Sequence, residues 1–176
     1  MDAISLYRAG IQSVVATMGT AFTKEHIKHL SSLRVQIRLL FDCDSAGQKA
    51  AFKTLDMLND VKLPIKVVKK WADGKDADEV LNTQGKEVLL SYINNLYSPL
   101  EFRIDYLKSY FNFDVHDERK QFAARAASYV AVSNLDLMDI EHYVNLISSE
   151  SGFSKELIKT YVNEYKRKLS SQQNSN

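Results

Sequence analysis

Leu39-Leu40-Phe41-Asp42-Cys43-Asp44-Ser45-Ala46-Gly47-Gln48 runs an apolar strand into a pair of acids, and the acids into a helix start. Val35 to Phe41 is β-rich, with Val35, Ile37, Leu39 and Phe41 on one face. Leu40, on the other face, predicts burial on both sides near the acidic end, as in a central strand. Ser45 and Gln48 make a capping-box pattern, and Ala51, Leu55 and Leu58 follow at helical spacing. Carboxylates just past a strand end stand where open α/β sheets bind ligands.

The neighbouring sequence repeats the theme. Leu63 to Val68 is a further strand, followed by the acid run Asp73-Gly74-Lys75-Asp76-Ala77-Asp78-Glu79. Upstream, Ile4 to Ala9 is a short helix and Ser13-Val14-Val15-Ala16-Thr17 a strand ended by Gly19-Thr20. Thr23 is the N-cap of a helix over Lys24–Leu30. Strand, helix, strand, helix, strand implies crossover units and a mainly parallel sheet with flanking helices.

The character changes near Tyr97-Ser98-Pro99. Leu100, Ile104 and Leu107 share a helical face, as do Phe122, Ala126 and Val130, and Ile140, Tyr143, Val144 and Ile147. A last helix places Leu157, Ile158, Tyr161 and Tyr165 on one side, with Ser154 as N-cap. The expected organisation is an α/β domain over 1–97, a small all-α helical bundle over 98–168, and a linker-like tail over 169–176.

Composition narrows the functional classes. At 45% hydrophobic and 26% charged residues over 176 positions, the chain is globular rather than disordered. No apolar run is long enough to cross a bilayer. The lone Cys43 excludes an internal disulfide and a cysteine-rich zinc site, and fits a reducing cytoplasm. With no histidine close in sequence, Cys43 reads as a packed residue rather than a nucleophile. A net charge of +1 gives no global basic field for gripping nucleic acid.

The chemistry therefore rests on the acids. Asp42 and Asp44 lie two apart, so an extended backbone puts both on one side, and Asp76 and Asp78 repeat the spacing. Like charges at about 4 Å repel by roughly 4 kcal/mol at an effective dielectric near 20. A bound cation reverses that repulsion. Hard oxygen donors without a nearby histidine favour Mg²⁺ or Mn²⁺ over Zn²⁺. Such ions suit metal-assisted phosphoryl or nucleotidyl transfer. The plainer reading is that these acids cap helices, Asp44 the helix after it and Asp76 or Asp78 the next. Asp73-Gly74 reads as a turn, and His26 and His29 as surface residues. Lys66, Lys69, Lys70 and Trp71 read either as a nucleic-acid contact or as a solvated strand edge.

Three ordered segments carry a family resemblance. Ala16-Thr17-Met18-Gly19-Thr20-Ala21-Phe22-Thr23, Phe41-Asp42-Cys43-Asp44-Ser45-Ala46-Gly47 and Asp73-Gly74-Lys75-Asp76-Ala77-Asp78-Glu79 resemble successive motifs of the Toprim domain in bacterial DnaG-type primases. Met1-Asp2 looks like the end of that family's Glu-Gly-Tyr-Met-Asp motif, and the likeness continues through Ser98-Pro99-Leu100-Glu101 into a helical subdomain. Cys43 stands where glycine or another small residue is usual, and Ala77 where proline is common. The resemblance implies a carboxy-terminal piece of a primase RNA-polymerase core, lacking the family glutamate that precedes Met1 and inactive by itself. It implies that Asp42 and Asp44 are catalytic, and that Asp42, Asp44, Asp76 and Asp78 hold Mg²⁺ or Mn²⁺ with support from Asp2. Gly19 and Thr20 would shape the cofactor rim. The implied partners are a single-stranded DNA template, ribonucleoside triphosphates, and a replicative helicase reached through a separate carboxy-terminal domain.

Two other classes remain open at this point. A haloacid-dehalogenase-like phosphatase also uses an acid pair after a strand, but usually carries threonine where Ala46 stands. A non-catalytic metal-binding or docking module would use the same acids without turnover.

Overall fold

The computed structural model of the chain describes residues 2–17, 22–33, 35–59, 61, 63–71 and 76–173. The chain divides into two compact units, Met1–Phe102 and Arg103–Asn176. The first contains α1 (Asp2–Arg8), α2 (Lys24–Leu33), β1 (Ile37–Leu39), α3 (Ser45–Met57), β2 (Ile65–Val68), α4 (Ala77–Gln84), α5 (Lys86–Ile93) and β3 (Leu96–Tyr97). The division falls inside α6 (Pro99–Lys108).

The sheet is small and mixed, in the order β1-β2-β3. β1 and β2 are parallel, with Ile37 opposite Ile65 and Leu39 opposite Val67. A parallel pair needs a crossover, which α3 supplies. β3 adds antiparallel to the other side of β2, Val68 opposite Leu96. That strand is only two residues long and carries no alternating pattern, so the sequence did not announce it.

The sequence expectation of a strand over Ser13–Thr17 is not met, because these residues are irregular and Val15 is 84% exposed. β-Branched residues favour a strand only where a neighbour completes the ladder and covers a face. Ile37 and Leu39 are buried on one side of β1 while Arg38 is exposed. Leu40 packs on the other side, against the core of Leu6, Ala9, Val68, Trp71, Val80 and Leu89. Leu40 is therefore covered as expected, but among the described strands β1 lies at the edge of the sheet rather than at its centre. Val80 and Leu89 are fully enclosed, and each such burial contributes about 1.5–3 kcal/mol.

Helix starts follow local chemistry. Thr23 Oγ1 accepts from the His26 N–H at 3.3 Å, and His26 Nδ1 accepts in return from the Thr23 N–H at 3.1 Å. At α6, Pro99 takes the first helical position. Ser98 Oγ accepts from the Glu101 N–H at 3.0 Å, and Glu101 Oε2 accepts from the Ser98 N–H at 2.6 Å, a complete capping box.

The second unit packs α7 (His116–Val132), α8 (Leu137–Ser151) and α9 (Lys155–Gln173) on one another. Phe122 anchors α7, and Ala123, Ala126, Ala127 and Val130 give it a small-residue stripe that lets a neighbouring helix approach closely. Tyr143, Val144 and Ile147 face inward from α8. That helix ends at Gly152, whose φ of +74° is the left-handed cap favoured by glycine. On α9 the buried pair is Ile158 and Val162, while Leu157 is 39% exposed, a quarter turn away from the expected face. α9 continues to Gln173, so the helix extends into the stretch whose composition suggested a linker.

Candidate metal centre

Parallel strands bring their carboxyl ends to one edge of the sheet. From β1 the chain passes through Leu40 and Phe41 to Asp42; from β2 it leads past Trp71 towards Asp76. At each place an aspartate in extended backbone starts a helix. Asp44 (φ −76°, ψ 172°) caps α3, its Oδ1 accepting from the Gly47 N–H at 2.7 Å. Asp76 (φ −84°, ψ 172°) caps α4 in the same way, its Oδ1 accepting from the Glu79 N–H at 2.7 Å.

Of the two caps the sequence offered for α3, Asp44 is used and Ser45 is not. Gln48, instead of closing a box, donates from Nε2 to the Asp42 carbonyl at 3.1 Å. A carboxylate is as good a cap as a hydroxyl and adds a charge favoured by the helix dipole.

Asp42 is the electrostatic centre. Partial burial pushes its carboxyl above the usual range, and the negative charges of Asp2, Asp44 and Asp76 push it further. Asp78 turns towards α1. Its carboxylate accepts from the buried Ser5 hydroxyl, and its N–H donates to Asp2 Oδ1 at 3.3 Å. These contacts dock α1 on the start of α4.

The donor set is one of hard oxygens and fits Mg²⁺ or Mn²⁺ in kind. Among the described residues, however, no three His, Cys, Asp or Glu side chains stand close enough to hold one ion. Asp44 and Asp76 each spend one carboxylate oxygen on a helix cap. Gly19, Thr20, Asp73 and Gly74 lie outside the described residues.

Other sequence candidates settle into supporting roles. Cys43 packs against the core, and burial raises its thiol pKa, with the Trp71 backbone hydrogen bond opposing. A raised pKa leaves a thiol unreactive. Trp71 is buried and stacks on Tyr92 at 5.3 Å with the rings 15° apart, so it is a core residue rather than a nucleic-acid contact. Lys69 lies 4.3 Å from the centre of the Tyr97 ring. His29 is exposed, and His26 serves the start of α2. The sequence reading missed Ser5, whose partner is 73 residues away, and the grip of Gln48 on Asp42. Only the proximity of Gly47 and Gln48 to the acid pair hinted at the second.

Residues 1–81 match the Toprim-like family model. The chain is 32% identical over 158 residues to a DNA primase of Clostridium acetobutylicum, an alignment covering 90% of this chain and 26% of that one. It is 39% identical over 109 residues to a DNA primase of Lactococcus lactis, covering 61% of this chain and 17% of the relative. Among solved structures it resembles the RNA polymerase domain of Mycobacterium tuberculosis primase DnaG in complex with double-stranded DNA. That match has a TM-score of 0.70 at 25% identity, over 87% of this chain and 49% of that one. The chain therefore spans about a quarter or less of the length of these two relatives. Toprim domains generally bind Mg²⁺. With its acids at the edge of the sheet and the helical region after it, the chain carries a Toprim-like domain over residues 1–81 and matches part of the RNA polymerase core of bacterial DnaG-type primases.

Proposed function

We propose that this chain supplies the acidic site of a DNA primase, which joins ribonucleotides into short RNA primers on single-stranded DNA. The observation that carries the reading is Asp42. Partial burial and three other carboxylates raise its pKa at the edge where two parallel strands end, and a bound cation would offset that concentration of negative charge. Bound there, Mg²⁺ would draw charge from the triphosphate oxygens of the incoming nucleotide and make the primer 3′-hydroxyl more acidic.

The residues divide the work. Asp42 and Asp44 would hold the ion, with Asp76 contributing from the start of α4. The cap hydrogen bonds fix the rotamers of Asp44 and Asp76. Asp78 and Asp2 secure the rim by tying α1 to α4. Template, nucleotide and helicase binding belong to the whole primase; a net charge of +1 gives these 176 residues little with which to hold DNA. The cytoplasm is the setting, and no described helix is long and apolar enough to cross a membrane.

One observation favours a second reading, a site without turnover: both Asp44 and Asp76 are already employed as helix caps. Labelled ribonucleotide incorporation on single-stranded DNA by the complete primase separates the two. Incorporation that disappears on Asp42→Ala supports catalysis. Unchanged incorporation by that variant, or none from the parent with any template and metal, overturns it.

A further inference from the structure

Gly47 sits in the first turn of α3 with its backbone pressed against the peptide of Asp42. A Cβ at this position would lie 2.4 Å from the Asp42 carbonyl oxygen and 2.9 Å from both its carbonyl carbon and its amide nitrogen. All three are backbone atoms, so no side-chain rotation relieves the clash. The neighbouring residue acts on the same peptide, because Gln48 Nε2 donates to the Asp42 carbonyl at 3.1 Å. α3 itself is pinned by Ala51, Leu55 and Leu58, all buried. When a side chain is forced in at position 47, the exposed segment at Asp42 is therefore the part that yields.

We propose that Gly47 and Gln48 are positioning residues for Asp42. Gly47 admits the peptide and Gln48 holds it, and together they set where the Asp42 carboxylate stands beside that of Asp44. The inference rests on the acidic-site reading for its consequence, but its geometry is independent of any metal. Residues that orient a metal ligand typically alter affinity by about 10–100-fold when replaced.

The test uses the full chain, with Gly47→Ala and Gln48→Ala made separately and Mn²⁺ as the probe. Backbone amide NMR without metal reads the position of Asp42 to Asp44, Trp71 fluorescence reads folding, and paramagnetic broadening of Asp42, Asp44 and Asp76 reads Mn²⁺ affinity. The expected result is displaced Asp42 and Cys43 resonances with Trp71 emission unchanged. Mn²⁺ affinity should fall about 10–100-fold in Gly47→Ala, and by less in Gln48→Ala. Unmoved Asp42 resonances, or unchanged affinity in both folded variants, overturns the proposal. If the parent shows no broadening at these acids, the metal reading fails by itself. The positioning role then stands or falls on the resonance shifts alone. If Gly47→Ala does not fold, Gln48→Ala decides. Loss of fold in both variants would assign the contact to helix stability and overturn the proposal.

Discussion

Replacing Asp44 by asparagine and by alanine separates the two tasks assigned to this residue. Asn and Asp are comparable N-caps, whereas alanine loses the hydrogen bond to the Gly47 N–H and costs about 1 kcal/mol. Asparagine also removes a charge. That forfeits roughly 0.3–1 kcal/mol of helix-dipole stabilisation, and the repulsion relieved at Asp42 works in the opposite direction. The net change for Asp44→Asn is expected within about 0.5 kcal/mol of zero, the range of an ordinary surface substitution.

In a unit of this size 1 kcal/mol moves Tm by about 4–8 °C, so alanine should be visible where asparagine is not. Trp71 is the only tryptophan and is buried in the first unit, so its fluorescence reports that unit's melt specifically. Mn²⁺ at about 100 times its Kd should add about 2.7 kcal/mol to the parent, and both variants should lose most of that gain. Equal destabilisation by Asn and Ala would refute the capping argument. A full Mn²⁺ response in Asp44→Asn would refute the metal assignment while leaving the cap intact.

Asp42 provides a pH test. Its folded-state pKa is raised, so the folded protein holds this proton more tightly than the unfolded chain. The associated stability is complete below the unfolded pKa, about 3.9, and is lost as pH rises through the folded value. Urea midpoints read by Trp71 fluorescence should show that loss in the parent and less of it in Asp42→Asn. Ser5→Ala should cost about 1–3 kcal/mol, because the buried hydroxyl bonded to Asp78 ties α1 to α4. Hydrogen exchange should show α1 opening first, and unchanged protection there would count against the tie. In the second unit, Ile147→Ala should cost about 2–5 kcal/mol, because Ile147 is fully buried. Helical circular dichroism should record the lower midpoint, and a change below about 0.5 kcal/mol would contradict the packing.

Periodicity alone marked the strand before Asp42, the crossover helix with Ala51, Leu55 and Leu58 inward, and the buried rows of α7 and α8, because a regular element repeats its burial every two or every three to four residues. Short-range chemistry marked the Thr23 cap, since both partners lie within one turn. The acid pairs were legible as an unusual charge density beside strand ends. What the acids do beyond capping was decided by tertiary structure. The caps at Asp44 and Asp76 are local and were among the sequence readings, but Asp78 met Ser5 across 73 residues, and Asp42 acquired its raised pKa from partial burial and from charges on α1 and at the starts of α3 and α4. The same holds for the missing strand at Ser13–Thr17, the antiparallel β3 and the burial of Trp71. A strand needs an edge to pair with, and a side chain needs a neighbour to cover it. Local sequence states the preference, but the partner comes from elsewhere in the fold.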